Sequence, residues 1–191
     1  MNTGAIMKHQ AFIAAIALAL APVLSRAQEK FGARDGNITF FSHAPLEDIT
    51  AVSRNAASVL VPATGAIEFS VLIKAFEFKK ALMQEHFNEN YMESGKFPKA
   101  KFNGQLKTEP GDDISKPGAH TVQVDGTLSI HGVDQPLHTR AILTASTDGT
   151  IQAECKFNVR PEDHGITVPG LVRDKIAKSM EVTVSITYHK L

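Results

Sequence analysis

Along most of this chain apolar and polar positions alternate one by one, the period that sends successive side chains to opposite faces of a β-strand. Residues 37–42 open the series, and residues 57–62 follow. Thr64-Gly65 then turns into residues 66–74, where Ile67, Phe69, Val71 and Ile73 share a face. Residues 100–107 come next, before a loop marked by Pro110-Gly111-Asp112-Asp113 and Pro117-Gly118. Residues 120–130 place Val122, Val124, Leu128 and Ile130 on one side. Beyond a turn at 131–134, Leu137, Ala141, Leu143 and Ala145 alternate with polar partners. Asp148-Gly149 is a hairpin signal, residues 151–159 follow, and 180–188 close the chain.

One stretch breaks the alternation. Phe78 and Leu82 lie four apart, as do Met83, Phe87 and Tyr91, a spacing that gathers side chains on one face of a short helix. Gly95 and Pro98 end it, and residues 100–103 resume the period of two. The pattern predicts an all-β fold with a short helical insertion.

About eight strands joined mostly by hairpins form a sandwich or a closed barrel. The expected inner face carries small residues: Ala57, Ala100, Gly104, Gly126, Ala141, Ala145, Ala153 and Cys155. An eight-stranded barrel is just wide enough to be filled by side chains or to hold one small ligand. Small inward residues favour an eight-stranded antiparallel barrel with an apolar internal cavity, although they would equally admit the helix as a plug.

The ends and the composition narrow the class. Lys8 and His9 precede an apolar run over 11–21, and Ser25-Arg26-Ala27 offers a small-x-small cleavage pattern. Residues 1–27 therefore read as a signal peptide that is removed, and 28–191 as one exported domain with no integral membrane segment. In a bacterium with two membranes the address is the periplasm; otherwise the protein is secreted. Removing that segment takes Lys8 and Arg26 and no acid, so 20 basic and 20 acidic residues become 18 and 20. A net charge of −2 gives no electrostatic case for nucleic acid or for an anionic membrane.

Candidate chemistry is thin. The single cysteine, Cys155, excludes an intramolecular disulfide and reads as a small inward hydrophobe, against a reactive or dimer-forming thiol. The seven histidines outside the leader show no metal-ligand spacing, and no Gly-x-Ser-x-Gly elbow is present. No enzyme, metal site or resident cofactor is expected. Arg160 ends a strand at what would be a barrel rim, where it either meets a ligand head group or pairs with Glu162 or Asp163. The aromatic and Met residues near the helix, Phe76, Phe78, Met83 and Phe87, suit either ordinary core or the lining of a hydrocarbon site.

Three segments together resemble the YceI-like family of lipocalin-like, polyisoprenoid-binding periplasmic proteins. Leu82-Met83, His86-Phe87 and Tyr91 with Phe97-Pro98-Lys99-Ala100-Lys101-Phe102 are similar to that family's helix and the strand after it. Val124 through Ile130 with His131-Gly132-Val133 resembles its Leu-Thr-Ile-His-Gly-Val hairpin. Phe157-Asn158-Val159-Arg160 with Asp163-His164-Gly165-Ile166 resembles its third motif, except that His164 stands where an aromatic is usual, a change that would make that end of the pocket more polar.

The resemblance implies a barrel that holds an isoprenoid or fatty-acyl chain for transport, storage or sequestration, without catalysis. Strand register and helix spacing give the expected ligand-binding residues: Phe69, Val71, Ile73, Phe76, Phe78, Met83, Phe87, Phe102, Leu128, Ile130, Leu143, Phe157, Val184 and Ile186, with Arg160 at the rim. The rival readings are a histidine-based metal, haem or quinone-linked redox or stress protein, and a filled structural barrel. A homodimer is left open.

Overall fold

The computed structural model describes residues 28–191, so the expected signal peptide lies outside the described residues. The elements are β1 (Phe31–His43), β2 (Asp48–Val61), β3 (Ala66–Leu72), a two-residue β4 (Glu77–Phe78) and α1 (Ala81–His86). Then come β5 (Lys99–Lys107), β6 (Gly118–Ile130), β7 (Val133–Ala145), β8 (Ile151–Val159) and β9 (Met180–Lys190). The sheet runs β1-β9-β8-β7-β6-β5-β3-β2, and β1 pairs with β2 to close it. Every pairing is antiparallel, so eight strands form an up-and-down barrel without open edges, while β4 adds to β2 alone.

The turns follow local chemistry. His131 (φ 52°) and Gly132 (φ 76°) both adopt positive φ, the two-residue hairpin geometry that continues strand twist from β6 into β7. Gly149 (φ 87°) serves the β7–β8 hairpin, which Ser146 N closes by donating to Thr150 O at 2.9 Å.

The alternation shifts phase twice along the β1–β2 pair, first by an extra residue in β1 between Ala33↔Ser58 and Gly36↔Ala56. The pairing then skips from Gly36↔Ala56 to Ile38↔Ser53, an extra residue in β2 that flips its later side chains. Ala56, Ser58 and Leu60 point inward, and Ala57, expected on the inner face, is exposed. The unbroken run Val59-Leu60-Val61 hides the phase. What sets it is buried Ser58, whose hydroxyl donates to Glu68 O at 2.7 Å and accepts from Tyr188 OH at 2.6 Å.

The helical insertion also differs from its sequence pattern. Phe78 precedes the helix, in β4, paired with Ala51, and Leu82 is 61% exposed, so the two do not share a buried face. The α-helix lasts six residues and widens into a π-turn (Phe87–Tyr91), closed by Met92 N donating to Phe87 O at 2.9 Å. The wider turn points Phe87 and Tyr91 toward the barrel.

Candidate functional site: an apolar cavity open at one end

The barrel has a packed end and a hollow end. At the packed end Phe31, Leu60, Leu106, Ile114, Val122, Ala145 and Ile151 form one buried cluster, with Ile114 reaching in from the β5–β6 loop. Gly104 and Gly126 face each other across β5 and β6, and a Cβ on either would collide with the Phe102 ring. These two small residues therefore make room for an aromatic side chain and not for a guest.

Above this floor a cavity of about 530 Å³ opens toward the other end. That size lies within the range of small-molecule sites. Its walls are almost wholly apolar, so the barrel is not filled, and the helix crosses its mouth without plugging it. Phe69 and Val71 enter from β3, Ile73 from the turn that follows, Phe102 from β5, and Leu128 and Ile130 from β6. Leu143 comes from β7, Phe157 from β8, and Val184 and Ile186 from β9. Phe76, Phe78, Met83 and Phe87 line the mouth.

Arg160 is the exception. It is exposed, lies outside the cavity wall and stands 3.7 Å from Glu162, so the rim position goes to an ion pair instead of to the cavity. His164 is likewise shut out: it is buried, outside the cavity wall, and its Nδ1 donates to Val133 O at 3.1 Å. It ties the 161–164 turn to β7 and adds no polarity to the pocket.

Several lining residues escaped the sequence reading. Ile38 and Phe40 lie on β1, upstream of the stretches that resemble the family. Phe40 packs at 5.7 Å from Phe76, 5.7 Å from Phe78 and 5.5 Å from Phe87, forming a four-ring cluster that clamps the helix to the barrel. Its alternation with Ile38 was a usable signal. Val168, Val172 and Ile176 lie on the irregular segment between β8 and β9, where no periodicity marks them.

Few polar atoms reach the interior. Tyr188 is fully buried, and burial pushes its phenol well above the ordinary range. Cys155 lines the wall, as its strand phase predicts, and burial raises its thiol pKa, which works against thiolate chemistry. Tyr91 is raised for the same reason.

The histidines brace the structure. At the mouth His131 spans two segments, with Nε2 3.0 Å from Glu93 and Nδ1 3.3 Å from His164 O. The Phe97 ring packs edge-on against it at 4.5 Å. At the packed end His120 donates from Nδ1 to Asp112 at 2.6 Å and from Nε2 to Lys116 O at 2.8 Å. Among the described residues, no three His, Cys, Asp or Glu side chains gather as a metal site.

A closed antiparallel barrel around a dead-end apolar cavity defines a class of proteins built to enclose a small ligand. The chain belongs to the YceI-like domain family, whose pattern matches residues 20–188. Solved structures share its fold. A polyisoprenoid binding domain from Saccharophagus degradans, implicated in plant cell wall breakdown, superposes with a TM-score of 0.72 at 13% identity, over 87% of this chain and all (100%) of that one. BcnA of Burkholderia cenocepacia gives 0.66 at 11% identity, over 80% of this chain and 95% of that one. A YceI protein of Campylobacter jejuni gives 0.52 at 13% identity, over 97% and 99%. No curated protein sequence shows significant similarity to the chain.

Proposed function

We propose that this protein is an exported, non-catalytic carrier that holds a long apolar lipid, isoprenoid or fatty-acyl, inside its barrel for transport, storage or sequestration. The observation that carries the reading is the cavity of about 530 Å³, almost wholly apolar and closed at the far end. Family membership and the fold shared with a polyisoprenoid binding domain support it. The basic start and apolar run of residues 8–21 support export, to the periplasm where the host has one.

The driving force is transfer of the chain out of water, roughly 0.8 kcal/mol per buried methylene. About ten buried methylenes contribute near 8 kcal/mol before the loss of chain and rigid-body freedom. A wall this apolar selects by length and girth more than by head group.

The test is uptake of a fluorescent isoprenoid or fatty-acyl probe by the wild type and by Val71→Glu. Val71 is buried at the cavity wall, and a carboxylate there is taken out of water among mostly apolar side chains. A folded Val71→Glu protein takes up no probe if the reading is right. Equal uptake by both would remove the cavity as the binding site.

A further inference from the structure

The three segments that frame the cavity mouth each carry an exposed leucine. Leu46 on the β1–β2 hairpin is 69% exposed, Leu82 on α1 61%, and Leu171 between β8 and β9 99%. The segments touch. Leu46 N donates to Asp174 O at 3.1 Å, and Lys80 Nζ donates to Glu47 at 2.7 Å. The leucines thus sit on one rim, around the opening through which a lipid must pass.

Cations surround them. Lys79, Arg173, Lys175 and Lys178 are exposed and have no ion-pair partner among the described residues. Two of the local acids are already engaged, Glu47 with Lys80 and Asp48 with His43. Glu85, Glu89 and Asp174 remain, so the excess of cations is confined to the Leu171 segment, where Arg173, Lys175 and Lys178 stand against Asp174 alone.

We propose that this rim docks on the surface of an anionic lipid bilayer, with Leu46, Leu82 and Leu171 entering the acyl boundary and the cations meeting lipid phosphates. Docking of this kind sets the cavity mouth against the membrane, so that a lipid crosses between bilayer and barrel without exposure to water. It rests on the carrier reading. A bilayer accepts separate apolar side chains at any spacing and rewards cations beside them. A protein partner would need one continuous complementary face.

The test is flotation of the purified protein with vesicles of phosphatidylcholine and phosphatidylglycerol in equal parts, against phosphatidylcholine alone. Uptake of an isoprenoid probe delivered by cyclodextrin runs in parallel. The wild type is expected to float with the anionic vesicles and to release from them at high salt. Leu46→Ser/Leu171→Ser, two exposed positions outside the cavity wall, should lose partition at least about tenfold while keeping uptake from cyclodextrin. Arg173→Glu/Lys178→Glu should lose about fivefold or more per residue changed. A wild type that does not float, or a leucine variant that floats as well as wild type, overturns the docking surface. A wild type that floats but takes up no probe from cyclodextrin overturns the carrier reading and the transfer step with it.

Discussion

Leu60, Ile151 and Tyr188 at one end of the barrel are shut away almost completely, whereas Leu128, Phe157 and Val184 point into the same interior and stay only half-buried. Both sets come from the same alternation of apolar and polar residues on continuous strands. What differs is the neighbourhood. At the packed end Phe102 covers two glycines, Ile114 folds in from a loop, and Tyr188 meets Ser58 across the barrel. At the hollow end the opposing positions carry Ala100 and Cys155, too small to meet in the middle, and a helix spans the mouth. On the proposed reading, stability is concentrated in the first region and binding in the second. Substitutions that separate those two properties test the division.

The largest separation should come from truncating one side chain at each end. Ile151→Ala removes a fully packed side chain and leaves a hole, which costs about 2–5 kcal/mol. Leu128→Ala removes atoms that already face empty space and should cost about 1 kcal/mol or less. Thermal unfolding followed by circular dichroism measures both, and equal losses would contradict the division.

Enlarging side chains gives the converse. Ala145→Phe overpacks the closed end and should lose about 1–3 kcal/mol. Cys155→Phe grows into the cavity, leaving stability nearly unchanged while reducing lipid uptake. A Cys155→Phe protein that binds lipid normally would place the guest elsewhere.

A smaller effect is expected where the packed end is polar. Tyr188→Phe deletes the bond to Ser58, whose hydroxyl still donates to Glu68 O. The expected loss is about 1 kcal/mol in urea unfolding, with the slope unchanged.

The smallest effect is a pH dependence from His120 on the packed-end loop. The bond from its ring to Lys116 O raises its pKa above 6.5; burial opposes this, and Asp112 reinforces it. Because the folded value is the higher one, its contribution is complete below about pH 6.5 and is lost as pH rises through the raised value. His120→Gln should flatten that part of the stability profile in matched unfolding curves. A wild-type profile that rises over the same window would reverse the sign and refute the assignment.

The barrel was legible in the sequence because its strands keep one face apolar over seven or more residues, and the cavity wall on β3, β6 and β9 follows from their phase. Legibility failed where something other than alternation decides. A bulge in β2 moved Ala57 outward, a π-turn redirected the helix, and Arg160 found Glu162 beside it. The segment between β8 and β9 contributes wall residues from irregular backbone, which carries no period to read. Those features depend on partners remote in sequence or on backbone geometry, neither of which a hydropathy pattern records.

The central claim, that the hollow end holds a lipid, is tested most directly by native mass spectrometry of the protein purified from its own host, followed by solvent extraction and lipid analysis. The account predicts a discrete mass increment that matches an extracted isoprenoid or acyl lipid and disappears in a folded Val71→Glu variant. An unliganded mass that stays unchanged after incubation with isoprenoid and acyl lipids would contradict it.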